Sequence, residues 1–119
     1  MPTVSQHSNQ YVHNKEILAL SEFDLTKNTN YDWIVTITFY TALHLVEKAL
    51  ASLSNPYHSK KHKDRNNLVF SVDILKPIAT HYQTLYNQSL RARYNCYSFT
   101  TSDVQQVLNY LQIIEKQLA

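Results

Sequence analysis

The stretch YDWIVTITFYTALHLVEKALASL, residues 31–53, decides the fold. Val35, Phe39, Ala42, Val46, Ala49 and Leu50 recur three and four residues apart and form one helical stripe, while Ile34 and Leu45 lie off it. A helix that is apolar on more than one side must be covered on more than one side, so this segment is expected at the centre of a bundle or as half of a dimer interface. It is about long enough to span a bilayer, but His44, Glu47 and Lys48 fall in its second half, which predicts a buried helix and no membrane contact.

Outward from this segment the punctuation is light: NTN at 28–30, SNP at 54–56, Pro77 and TTSD at 100–103. A first helix is expected from about Gln10 to Thr26, with Ile17, Leu18, Ala19, Leu20, Phe23 and Leu25 as its apolar surface. A short helix fits 62–72 and a longer one 74–94, because Pro77 is tolerated in a first turn and not in a helix interior. The β-branched and aromatic residues leave room for a strand near 68–74. The last helix is the clearest, with Val104, Val107, Leu108, Leu111, Ile114 and Leu118 in a stripe, Thr100 or Thr101 as N-cap and Asp103 in the first turn. Long helical periodicity with short connections predicts an all-α fold, an up-and-down bundle of four or five helices forming one domain over residues 1–119.

Composition removes several functions. The chain has no glycine, which argues against a P-loop, a dinucleotide fingerprint and a nucleophile elbow, all of which need backbone close to a ligand or in a strained turn. Cys96 is the single cysteine, so no internal disulfide is expected, and MPTVSQHSNQYVH lacks the basic start and apolar run of a secretory signal, which predicts a cytoplasmic protein. Net charge is only +2, so the placement of the basic residues has to carry any argument for a polyanionic partner.

Three clusters bear on chemistry. Trp33, Ile37, Tyr40, His44 and Glu47 share one face of the central helix, where His44 and Glu47 either line a groove or fix helix register by hydrogen bonds. The loop YHSKKHKDR, residues 57–65, holds His58, His62, three lysines and Arg65 against a single aspartate. RARYNCY, residues 91–97, holds Arg91, Arg93 and Tyr94, and with the loop gives two basic clusters able to converge on one phosphate-bearing ligand. In a helix Arg91 and Arg93 point to opposite sides, and they reach one cleft together only if the helix frays at Asn95. His58 with His62, and His44 with Glu47, have spacings that metal ligands use, but the set lacks a zinc signature and the order of His44 and Glu47 is the reverse of a di-iron motif, so no metal or cofactor is expected. Cys96 has no histidine near it in sequence and reads as a small semi-buried side chain rather than a nucleophile.

DW at 32–33, FYTALHLVEKAL at 39–50, HSKKHKDRNNLV at 58–69 and SLRARYNCYSFT at 89–100, in that order, resemble the HEPN superfamily, the higher eukaryotes and prokaryotes nucleotide-binding domain, over about residues 10–118. The resemblance implies a helical bundle that dimerises, often beside a minimal nucleotidyltransferase, and many members are metal-independent ribonucleases of toxin–antitoxin, antiviral or RNA-processing systems. In those nucleases an arginine and a histidine separated by four to six residues form the active site, and Arg91 or Arg93 stands where that arginine is expected. The histidine is missing: Cys96, Tyr97 and Ser98 occupy its positions after Arg91, and Ser98, Phe99 and Thr100 after Arg93. General acid–base work on a ribose hydroxyl needs a group titrating near neutrality, so the departure argues against the standard mechanism unless His44 or His62 enters from another helix.

The resemblance implies a homodimer, with a nucleotidyltransferase as an optional partner, and together with the basic clusters it predicts binding of a nucleotide or RNA through Arg65, Arg91, Arg93 and Tyr94, with His44, Glu47, His58 and His62 as further candidates. Trp33, Tyr40 or Tyr94 can stack on a base. The alternatives are a metal-independent ribonuclease with a non-standard site, in which Arg91, Arg93 and His44 are the catalytic candidates, and a structural oligomerisation module.

Overall fold

The central segment folds as a 21-residue helix, Tyr31–Ala51, and packs against three others. A computed structural model describes residues 2–20, 23–26, 29–56 and 60–119; part of the expected first helix, part of the NTN turn and His58 fall outside these. The elements are α1 (Val4–Leu18), α2 (Tyr31–Ala51), α3 (His62–Ser71), a 3₁₀ turn (Lys76–Ile78), α4 (Ala79–Tyr94) and α5 (Thr101–Leu118), an all-α arrangement with no strand among the described residues.

Helix α2 contacts α1, α4 and α5, which is why its apolar residues are not confined to one stripe. Val35, Phe39, Ala42, Val46 and Leu50 are fully shielded, and so are Ile34 and Leu45 from outside that stripe. Against them stand Tyr82 and Leu85 of α4 and Val104, Val107, Leu111 and Ile114 of α5. Helix α2 is long and apolar enough to cross a membrane, but most of it is covered by protein here.

The first helix begins and ends earlier than its apolar residues suggest. Thr3 and Gln6 form a capping box: Thr3 Oγ1 accepts from the Gln6 amide at 3.1 Å and Gln6 Oε1 from the Thr3 amide at 2.8 Å. Its buried residues are the polar His7 and Asn14, whereas Phe23 and Leu25 pack on the core from beyond the helix end. An apolar-stripe argument cannot register a helix that docks through polar groups.

Pro77 lies in the 3₁₀ turn, and α4 starts after it, since the proline ring and missing amide bar a helical hydrogen bond there. Residues 68–71 close α3 rather than opening a strand, and Leu75 drops into the core. Helix α4 ends at Tyr94, and Cys96 follows with φ of 50°, the left-handed region where a glycine usually sits. Thr100 then caps α5, accepting from the Asp103 amide at 3.1 Å, while the Asp103 carboxylate accepts from the Thr100 amide at 2.9 Å.

Candidate functional site

A polar seam runs between α2, α3 and α4. At its inner end, Arg65 of α3 donates Nε–H to Glu47 Oε1 of α2, with the two side chains 8% and 2% exposed. Arg65 Nη1 also donates to His62 Nδ1 at 3.2 Å. A guanidinium has no acceptor, so Nδ1 must carry the lone pair, and a neutral His62 holds its proton on Nε2. The His62 ring packs 5.4 Å from Tyr86 and 5.7 Å from Phe39, centroid to centroid. Burial, then the charges of Arg65 and Arg93, hold its pKa below the usual value. The buried Tyr82 hydroxyl is pushed above its ordinary pKa by burial, with Arg65 opposing.

Arg93 forms the outer end of the seam. Its Nη1 donates to the Tyr40 hydroxyl at 2.9 Å, Nε to the Ser89 carbonyl at 3.2 Å and Nη2 to Ser89 Oγ at 3.1 Å. The guanidinium carbon lies 5.5 Å from the Tyr40 ring centroid and 5.1 Å from that of Tyr94. Arg91 is fixed differently: it is exposed, 5.1 Å from the Tyr97 ring, with Gln88 Oε1 3.5 Å from its Nη1. The two arginines thus have separate partners, in keeping with opposite directions from one helix.

Beside Arg93 is an open hollow of about 250 Å³ bounded by Asp32, Trp33, Thr36, Ala92 and Arg93. A second, about 420 Å³, shares Asp32 and Ala92 and extends to Cys96, Tyr97 and Ser98. Trp33 is 58% exposed and Tyr94 70%, so two large aromatic surfaces flank this end of the bundle without being used in the core.

His44 leads elsewhere. Its Nδ1 is 2.9 Å from Nδ1 of the buried His7, so one ring donates and the other accepts, joining α1 to α2. Burial, then His7, lowers the His44 pKa, with Arg65 adding to the effect and Glu47 opposing it.

Among the predicted residues, then, Glu47, Arg65 and His62 meet directly, Arg93 reaches the same seam through Tyr40 and the His62 environment with Tyr94 against its guanidinium, and Arg91 lies apart from it against Tyr97. His58 lies outside the described residues. Among the described residues, no group of three or more His, Cys, Asp or Glu is placed to hold a metal ion. Sequence reasoning missed His7, Asp32 and Ser89. Nothing marks His7 in sequence, 37 residues from its partner, and Ser89 is legible only as lying four residues before Arg93 on one helix face.

Comparison with protein-family models, curated proteins and solved structures finds no match for this chain.

The lowered histidines give a pH dependence. Both His44 and His62 have a folded pKa below the ordinary 6.5, so on acidification the unfolded chain takes up these protons first. Their contribution to stability is complete above 6.5 and is lost as pH falls through the folded values. Urea unfolding at stepped pH is expected to give a falling stability below 6.5, with a shallower fall in a His44→Gln/His62→Gln variant. Equal slopes in the two proteins would show that these rings do not carry the effect.

Proposed function

We propose that the chain is a nucleotide- or RNA-binding module, with the α2–α4 hollow as its ligand site. The observation that carries this reading is Arg93 on the wall of a hollow also bordered by the half-exposed Trp33. Arginine supplies forked donors for a phosphate, and an exposed indole supplies a stacking plane for a base. Arg91, Tyr94 and Tyr97 extend the same combination of charge and aromatic surface along the strand. The resemblance to HEPN domains points the same way, and from it come the homodimer and the nucleotidyltransferase partner; a cytoplasmic location is part of the same proposal.

A second reading, metal-independent RNA cleavage, is favoured by one observation: His62 lies in the field of Arg93, which supplies a histidine beside an arginine without the usual sequence spacing. The hydrogen bond from Arg65 counts against it. With Nδ1 occupied as acceptor and the proton on Nε2, neutral His62 offers a donor, and a general base for the ribose hydroxyl requires that bond to break.

End-labelled single-stranded RNA incubated with the protein in EDTA, with binding and cleavage read from the same samples, separates the two. Binding that weakens steeply with salt is expected, without cleavage. Arg93→Ala is expected to weaken binding on the order of 10- to 100-fold, and the exposed Arg91→Ala less. Cleavage abolished by His62→Gln would establish the second reading instead. Absence of both binding and cleavage would leave a structural oligomerisation module and overturn the proposal.

A further inference from the structure

Asp32 borders both hollows, yet among the described residues its carboxylate takes part in no hydrogen bond and no ion pair. The bond that Thr36 Oγ1 makes to residue 32, at 2.8 Å, goes to the backbone carbonyl. Arg93 stands on the same hollow, gives three of its five N–H donors to Tyr40 and Ser89, and does not pair with Asp32. A carboxylate and a guanidinium that share a hollow and leave each other unpaired impose a polarity on any ligand. Phosphate is drawn to the arginine side and repelled from the Asp32 side, where a neutral group rich in N–H donors fits.

The flat surface beside both is Trp33. A base stacked on that indole, with its sugar–phosphate directed toward Arg93, turns an edge toward Asp32. Guanine alone among the common bases offers two adjacent donors, N1–H and the 2-amino group, matching the two oxygens of a carboxylate. Adenine and cytosine offer one amino group beside a ring acceptor, and uracil a single N–H between two carbonyls that the carboxylate repels.

We infer that Asp32 selects a guanine base in the Trp33–Arg93 hollow. The inference rests on the nucleotide-binding reading above and specifies its ligand, whether a free guanine nucleotide or a guanosine within single-stranded RNA.

Trp33 is the only tryptophan in the chain, so its fluorescence reports stacking at this position directly. The full chain would be titrated with GMP, IMP, AMP, CMP and UMP, and with oligouridine with and without one central guanosine. Guanine is expected to quench at the lowest concentration, IMP, lacking the 2-amino group, on the order of tenfold higher, and AMP on the order of 10- to 100-fold higher. The two oligonucleotides show whether the guanine is read free or within a strand. Asp32→Asn and Asp32→Ala, at an exposed position, are expected to keep the helical circular dichroism while losing the ranking among bases, GMP quenching at higher and UMP at lower concentration than with the native protein. Equal affinity for all bases in the native protein, or an unchanged ranking in both variants, overturns the role of Asp32 and leaves nucleotide binding standing. No quenching by any nucleotide or oligonucleotide overturns both.

Discussion

Glu47→Ala is expected to destabilise the protein by about 3–5 kcal/mol, because it leaves the Arg65 guanidinium buried without its carboxylate. The pair links α2 to α3, with side chains 2% and 8% exposed, so neither charge can turn to water without opening the seam. Desolvation of the surviving charge, rather than the loss of one attraction, sets the size of the effect. Replacing both partners with apolar residues of similar length, Glu47→Leu with Arg65→Met, is therefore expected to recover much of the stability lost in the single variant. Urea unfolding of the three proteins tests this. A loss below about 1 kcal/mol for Glu47→Ala, the range of surface pairs, would mean that solvent reaches Arg65.

Phe39→Ala is expected to cost about 3–5 kcal/mol, the range for removing a large aromatic from a packed core. Phe39 is fully shielded, and the rings of Tyr40, His62, Tyr82 and Tyr86 all lie within 5.1–5.7 Å of it, centroid to centroid. The Arg93 guanidinium also lies 5.9 Å from its centroid. The residue is thus the packing post for both His62 and Arg93, and its truncation is expected to weaken ligand binding as well as stability, whereas Phe39→Leu keeps most of both. Thermal unfolding with RNA-binding titrations below the melting range separates the two effects. A destabilised Phe39→Ala protein that binds as tightly as the native one would show that Arg93 is held by Tyr40 and Ser89 alone.

These two residues also show how far the sequence could be read. The periodicity around Phe39 gave away a buried helix, because a segment apolar on several sides has to be enclosed. The spacing of Tyr40, His44 and Glu47 placed them on one face, because a helix of fixed pitch puts residues three and four apart together. It did not say which neighbour each would meet: Glu47 found Arg65 of α3, Tyr40 found Arg93 of α4, and His44 found His7 of α1. The start of α1 is set by the Thr3–Gln6 capping box, which the reading from apolar residues passed over, because those residues pack from the connection after the helix.

By itself the sequence determined the all-α class, an enclosed apolar helix over about residues 31–53, a helix boundary near Pro77 and a cap at Thr100 or Thr101, because helix pitch, proline geometry and capping chemistry act over a few neighbouring residues. Only the tertiary structure decided that Arg91 and Arg93 have different partners, that His62 rather than His44 lies near Arg93, and that Asp32 and Trp33 border the Arg93 hollow. Those relations join residues up to 60 or so positions apart, and they are set by how the helices pack around α2, which no local spacing encodes.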